Sequence, residues 1–339
     1  ASNDRAFPRR AGGGPGKGRE VMRRGIALVS VVGLNALLGC SGPGTGDEGM
    51  RAAPPAAAAE GAPTAAEIAT ATYTGIEGQG PVTLVDGKWE GEPFVEGGAS
   101  VPSVWLSDGF SLVGDLDGDV AEESVAHLTF WSGGTGNFGY LAVMGREGDA
   151  IVQRGLAEIG DRVQIRDARI EDARVVLEVL QVGPDDGMCC PTQLATRTFA
   201  MEGGELVQTS AEVTGTASLA TLEGREWVLR KLSSTEAAAE EPEITLVVDG
   251  GRVSGSSGCN RYHGTVEQGE TGTSLAVGPL AATRMACPPE LMDLEQRYTA
   301  ALQGAQGWGF HLGQLVVHHQ HGDEYGSLFF EGREPPPGS

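Results

Sequence analysis

The chain has 339 residues, 24 lysines and arginines against 46 aspartates and glutamates, and a formal net charge of −22. A surface this acidic excludes nucleic acid as a partner, which needs clustered cations, and excludes a polybasic grip on anionic lipid. The length suffices for two ordinary domains. Residues 1–21, rich in Gly, Arg and Pro, precede Met22 and are set aside as an upstream extension. Arg23-Arg24 then leads into a mostly apolar run that ends at Leu37-Leu38-Gly39-Cys40. This run is shorter than the about 20 helical residues needed to cross a hydrocarbon core of roughly 30 Å. With its basic front and small-residue exit it reads as an export signal.

Leu37-Leu38-Gly39-Cys40 resembles the lipobox of bacterial lipoproteins. That resemblance implies acylation of Cys40, which becomes the first mature residue, and places the rest of the chain outside the cytoplasm on a lipid tether. Ser41, rather than aspartate, follows it, which implies the outer membrane, facing the periplasm, in a two-membrane cell. Loss of residues 1–39 removes seven basic and two acidic residues, so attachment to the membrane falls to Cys40 alone. Residues 41–65 hold eight Ala, five Gly and four Pro and are expected to be a flexible linker.

Strand signals dominate the next 150 residues. Val82-Thr83-Leu84-Val85 runs into Asp86-Gly87, a hairpin dipeptide. Phe110–Val113, Ser124–Trp131 and Tyr140–Met144 are β-rich, Val163–Arg166 alternates apolar and polar, and Arg174–Val182 continues that pattern. Small and polar residues at Ser210–Ser218 read as a break, so an all-β domain is expected over 66–212. A second domain opens with strands at Trp227–Leu229 and Ile244–Val248. Asp249-Gly250 turns it into Arg252–Gly255. One helix is predicted after Pro288-Pro289, with Leu291, Leu294, Tyr298 and Leu302 at helical spacing. The chain returns to strand at Leu315–His318, and 332–339, ending in Glu334-Pro335-Pro336-Pro337-Gly338-Ser339, is expected as a disordered tail. The fold class is therefore mainly β (α+β). Besides Cys40 there are Cys189, Cys190, Cys259 and Cys287; an even number in an exported protein favours disulfides, with three connectivities open.

Leu222-x-Gly224-x-x-Trp227-x-Leu229, Val253-Ser254-Gly255-Ser256-Ser257-Gly258-Cys259-Asn260-Arg261-Tyr262-x-Gly264, Thr283-Arg284-Met285-Ala286-Cys287 and Glu295 together resemble the META domain of heat-shock HslJ-like proteins. The resemblance spans 219–331. It implies a small antiparallel β-barrel with one helix, an envelope setting, and a link to stress and drug tolerance without an agreed reaction. Within that motif Gly255 and Gly258 allow a sharp path before Cys259. A Cys259–Cys287 disulfide would close a loop of about thirty residues and contribute on the order of 3 kcal/mol. The rival is a catalytic thiol at Cys259, with His263 nearby.

Asp115-Leu116-Asp117-Gly118-Asp119-Val120-Ala121-Glu122-Glu123 is the metal candidate. Ca²⁺ takes six to eight oxygens, and Asp115, Asp117, Asp119, Glu123 and the Ala121 carbonyl could supply them. The segment is similar to the calcium loops of integrin-type repeats, departing from them at Val120, where glycine is usual, and at Glu123, where aspartate is usual. Its alternative is an acidic turn on an acidic protein. Gly134-Thr135-Gly136-Asn137-Phe138-Gly139 spells a dinucleotide fingerprint but is followed by a strand-like segment, so a glycine-rich hairpin is expected. Met188-Cys189-Cys190-Pro191 reads as a turn lock, with a redox pair as its alternative. His319 and His321 share a strand face, with no third metal ligand evident. No familiar catalytic constellation is present. The expectation is a non-catalytic binding or interaction module at the envelope. It is attached to the membrane by its lipid, with an envelope protein or a small molecule as partner. A lipid carrier using the barrel lumen and an envelope enzyme are the alternatives.

Overall fold

The computed structural model describes residues 61–335. The upstream extension, the apolar run, Cys40, most of the spacer and residues 336–339 lie outside the described residues. The described part belongs to one compact unit, 56–339.

The chain enters through a short helix, α1 (Ala65–Ile68). Thr64 Oγ1 accepts the Glu67 N–H at 3.3 Å, and the Glu67 carboxylate accepts the Thr64 N–H at 2.8 Å, a reciprocal capping box. Arg146 Nη2 holds the same carboxylate at 2.6 Å. Its Nε donates to Gly61 O, and Ser124 Oγ donates to Pro63 O. Residues 61–65, expected as the end of the linker, are thus tied to the body by backbone carbonyls and a cap, which the Ala- and Pro-rich composition conceals.

In the first half β1 (Thr72–Tyr73) and β2 (Val82–Thr83) form a small ribbon. A six-stranded antiparallel sheet follows: β3 (Lys88–Glu90), β4 (Ser103–Leu106), β5 (Leu112–Gly114), β6 (Glu123–Trp131), β7 (Phe138–Glu147) and β8 (Ala150–Asp161). Its order is β3-β4-β6-β7-β8, with β5 also on β6. Four further strands, β9 (Gln164–Glu171), β10 (Arg174–Gln181), β11 (Gln193–Glu202) and β12 (Glu205–Thr216), make a meander in the order β12-β11-β10-β9. Strands β6 and β7 lie between two cores. Ala126, Leu128, Phe130, Tyr140, Ala142 and Met144 pack with Ile68, Tyr73 and Val82 on one side. Val125, Leu141 and Val143 pack with Val175, Leu177, Val179 and Phe199 on the other. Successive side chains point to opposite faces, so burial of both faces produces the largely apolar run of Ser124–Trp131.

Two expectations shift. Strand β10 does not alternate: Val175, Val176 and Leu177 are all buried, and Leu180 joins the core of the second half. Ser210–Thr216 is no break, because β12 stays paired with β11 as far as Gln193 opposite Thr216. Its side chains are mostly exposed, and small polar residues there suit an outer strand. Residue 212, the expected end of the first domain, lies inside β12; the chain leaves the strand at Ala217 and turns through Leu219–Leu222.

The second half consists of β13 (Glu226–Lys231), β14 (Thr245–Asp249), β15 (Arg252–Ser256), β16 (Arg261–Gln268), β17 (Leu275–Val277) and β18 (Ala281–Ala282). Helix α2 (Pro289–Gln303) follows, then β19 (Ala305–His311), β20 (Gln314–His321) and β21 (Glu324–Arg333). The antiparallel order is β17-β16-β15-β14-β13-β21-β20-β19, with β18 on β16, and a bridge from Ser274 to Gly307 brings the ends of the sheet together. The result is a nearly closed barrel. Pro289 occupies the first turn of α2, where its missing N–H costs nothing, and Tyr298, Ala301 and Leu302 enter the core. At Gly255 a Cβ would collide with Thr245 O and the Tyr262 hydroxyl. That hydroxyl donates to Thr245 O at 2.8 Å and lies 2.7 Å from Tyr298 Oη. The last strand continues through 332 and 333, the start of the expected tail, because Arg333 pairs with Glu226 at 2.8 Å and Glu243 at 2.8 Å.

The halves meet where β9 crosses the β19–β20 hairpin. Phe310 N–H donates to Gln164 Oε1 at 2.7 Å, Gly313 N–H donates to Ile165 O at 3.0 Å, and Gly309 leaves no room for a Cβ against the Gln164 amide. Leu219 N–H donates to Gln268 Oε1 at 2.9 Å. Replacing Gln164 by Ala strands the Phe310 N–H beneath a largely buried side chain. The expected cost is about 1–2 kcal/mol, seen as a lower urea midpoint for a single unfolding transition.

Candidate functional site

The acidic loop between β5 and β6 is folded around its own carboxylates. Asp115 Oδ1 accepts from Gly118 N at 2.7 Å and Oδ2 from Val120 N at 3.2 Å. Asp117 Oδ1 accepts from Asp119 N at 3.1 Å, and Asp119 Oδ1 from Ala121 N at 2.8 Å. Glu123, 2 % exposed at the start of β6, accepts the Leu116 N–H at 2.9 Å. Carboxylate oxygens of Asp115, Asp117 and Glu123 lie within 4.8 Å of one another. Asp119 is turned to the Ala121 amide and stands outside that trio, and Ala121 is half-buried beside it. Val120 takes φ 77°, the conformation glycine supplies in similar loops, and is 80 % exposed. A β-branched residue there is strained. Burial, and then Asp117, Asp119 and Asp115, push the Glu123 carboxyl above its ordinary range. Three hard oxygens gathered at the buried start of a strand are what a divalent cation such as Ca²⁺ would join.

A second concavity lies where the halves meet. His127, Thr129 and Trp131 alternate along β6 on the face that further along carries Val125. Register places Thr129 opposite Trp105 and Gly139, and Trp131 opposite Ser103. The face thus rises from apolar core through His127 to an open shelf at Trp105, which is 37 % exposed. Beside it, Trp105, Trp131, Thr135, Gly136, Asn137 and Arg162 border a cleft of about 510 Å³. Asn137 and Arg162 also border a deeper cavity of about 250 Å³ that has His127 and Thr129 in its wall and Phe310, His311 and Leu312 across from them. Gln164, Phe310 and His311 continue into a third cleft of about 380 Å³ reaching His318 and Ser327.

His127 is 7 % exposed, its Nδ1 lies 2.7 Å from Ser107 Oγ, and its Nε2 has no hydrogen-bond partner among the described residues. Burial, and then His311, lower its pKa to about 4, so the ring is neutral at neutral pH. Arg162, at φ 52° in the β8–β9 turn, donates to Thr135 O and pairs with Asp161 at 3.2 Å. Partial desolvation also lowers His311 and His318, both exposed, and Lys231 adds to the shift at His311. His318 Nδ1 lies 2.9 Å from Ser327 Oγ. Sequence reading missed this groove. Its residues come from β4, β6, the β6–β7 hairpin, the β8–β9 turn and the β19–β20 hairpin, so no local spacing announces it. The glycine-rich Gly134–Gly139 segment is the hairpin expected from sequence, and it forms one rim.

In the barrel, Cys259 and Cys287 form a disulfide with Cα atoms 6.1 Å apart, which leaves no free thiol at Cys259. Gly258 precedes it at φ 92°. Cys259 sits in the turn before β16. Asn260 fixes the same turn: its Nδ2 donates to both Glu295 oxygens at 3.2 and 2.9 Å, and its Oδ1 accepts from Thr283 Oγ1 and Met285 N, each at 2.8 Å. The Gly-Cys-Asn and Thr-Arg-Met-Ala-Cys segments and the helix thus meet at one polar knot. The family model described as "META domain" matches residues 220–329. This part of the chain is a META domain. A solved NMR structure of a protein from Burkholderia xenovorans is similar at 28% identity, over 34% of this chain and 87% of that chain, with a TM-score of 0.28. Comparison with curated proteins gives no match.

The META domain contributes Phe310, His311 and Leu312 to the groove, while its motif residues serve the knot. Cys189 and Cys190 form the other disulfide, in the β10–β11 connection. Asp186 braces that connection by accepting from Gly183 N and Thr192 N, each at 2.7 Å. His319 is half-buried and His321 exposed on β20. Among the described residues neither joins a group of three metal-ligating side chains.

Replacing Cys259 and Cys287 together by Ala is expected to cost about 3 kcal/mol, measured by denaturant unfolding. For Glu123, a raised carboxyl favours the folded state as pH falls through its folded pKa, and that benefit is lost as pH rises above it. Ionisation of Glu123 therefore opposes folding. Glu123→Gln, which keeps an acceptor for Leu116, is expected to raise the melting temperature in chelator, read in a thermal melt.

Proposed function

We propose that the chain is a non-catalytic binding module of the cell envelope, exported and held to the membrane through acylated Cys40. The observation that carries the binding role is the groove between the META domain and the first half. Ligand sites favour such junctions, where a few convergent polar groups meet apolar walls. Its serine–histidine contacts do not favour hydrolysis. Both use Nδ1, and among the described residues no carboxylate is hydrogen-bonded to either ring, whereas a catalytic imidazole is oriented by a third group. The lipid-carrier alternative needs an open barrel lumen. Here Trp227, Tyr262, Leu302, Trp308 and Phe330 belong to one core inside it. The two disulfides suit an oxidising compartment, in keeping with the export signal, and the META domain is in keeping with a role in stress or drug tolerance.

Calcium is the proposed ion of this module, on Asp115, Asp117 and Glu123, with Asp119 and the Ala121 carbonyl joining by a small turn of the loop. Bound Ca²⁺ would offset the repulsion among these carboxylates and hold the β5–β6 connection.

Mass spectrometry of protein from the membrane fraction is expected to find a mature chain beginning at a diacyl- or triacyl-modified Cys40; an unmodified residue 40 in cytosolic protein overturns the envelope reading. Calorimetry with CaCl₂ is expected to give saturable binding at about 10⁻⁴–10⁻³ M, lost in Asp117→Ala. No heat and no thermal shift at millimolar calcium overturns the ion.

A further inference from the structure

We propose that the groove binds an acidic oligosaccharide, with a pyranose ring on the Trp105–Trp131 shelf and a sugar carboxylate toward Arg162 and the His127 cavity. This names the ligand of the binding role proposed above and rests on that reading. Charge is the first support. The chain carries 46 acidic residues, yet the walls of the three connected clefts contain no Asp or Glu. Their ionisable side chains are Arg162, His127, His311 and His318. Other clefts on the same protein differ: one is bordered by Glu240, Glu241 and Glu243, another by Asp117 and Asp119. Neutral sugars are commonly gripped by carboxylates that accept from hydroxyls, and this groove offers none from its walls. The carboxylate nearest the walls is Asp161, which is tied up by Arg162 at 3.2 Å and by the Asn137 N–H at 2.7 Å. At physiological ionic strength screening over about 8 Å weakens the influence of the more distant acidic surface, which leaves Arg162 and its partner Asp161 as the charges beside the ligand.

The shape adds the ring. Trp105 and Trp131 stand on neighbouring strands and the same sheet face, two positions apart in register. Trp131 is held by its Nε1, which donates to Gly134 O at 2.7 Å. An indole face is negative and meets the partly positive C–H face of a sugar ring favourably. Lys88 lies 6.0 Å from the Trp105 ring centroid and is paired with Glu90, which gives that ring a cationic neighbour. Around the shelf are side chains matched to hydroxyls, Thr129 and Asn137. Arg162 already serves Thr135 O and Asp161, but a guanidinium has five N–H donors in a fork that suits a carboxylate. Asp161 is the competitor that a bound carboxylate must meet. The three clefts, of about 250, 510 and 380 Å³, share lining residues and together offer more room than one ring fills, hence an oligosaccharide.

The test is tryptophan fluorescence and calorimetry on the full folded chain with tetragalacturonate, in chelator so that the acidic loop does not contribute. The same tetrasaccharide with every carboxyl methyl-esterified isolates the charge, and benzoate isolates the ring. Saturable binding by tetragalacturonate, at about 10⁻⁴–10⁻³ M, is expected, with the ester and benzoate each at least about tenfold weaker. Trp105→Ala, at a half-exposed position, is expected to weaken binding about tenfold, with an unchanged melting temperature as its control. A flat titration to about 10 mM, equal binding of the ester, equal binding of benzoate, or unchanged binding by Trp105→Ala overturns the proposal. Acylation of Cys40 is read separately, so a flat titration removes the saccharide and leaves the envelope reading to its own measurement.

Discussion

A side-chain carbonyl lies at the centre of the seam between the two halves of this protein. Gln164 Oε1 takes the Phe310 N–H at 2.7 Å, and Gly309 is what lets the amide come so close. The contact sets β9 against the β19–β20 hairpin, and the Ile165 carbonyl repeats it with Gly313. From that fixed crossing the rest of the junction follows. Leu180 enters the barrel core, and His311 and Leu312 become the far wall of a cavity whose near wall is β6. A groove between two halves keeps its shape only as far as the halves keep their places, and here several backbone groups do the holding.

Charge is distributed unevenly. Acidic residues crowd the β5–β6 loop, while at the groove Asp161 is paired with Arg162 and the cleft walls carry histidine and tryptophan. Within the loop, three aspartates answer backbone N–H groups, and the buried Glu123 answers Leu116. The same loop holds Val120 in a glycine-like conformation, and burial with the neighbouring aspartates pushes the Glu123 carboxyl above its ordinary range.

Much of the barrel was legible in the sequence, because its markers are local. The helix after Pro288-Pro289 shows its period, Asp249-Gly250 shows its turn, and the two cysteine motifs that resemble a META domain do form a disulfide. Other parts were hidden for physical reasons. The Thr64–Glu67 capping box was readable in the T-x-x-E spacing but obscured by the alanines around it. Strand β12 looked like a break because an exposed outer strand needs few apolar side chains. Strand β10 lost its alternation because it packs on both faces. The groove could not be read at all: Trp105, His127, Arg162 and Phe310 lie far apart in the chain and are brought together only by strand register and by the junction.

The place of Leu180 has a practical side. Together with Ala217 it fills the barrel core from beyond the family-matched segment, and Leu194 packs against that core. A fragment trimmed to the matched residues would leave those sockets open to water. Its exposed apolar surface would invite self-association, so behaviour seen in the excised barrel would be a poor guide to the intact chain.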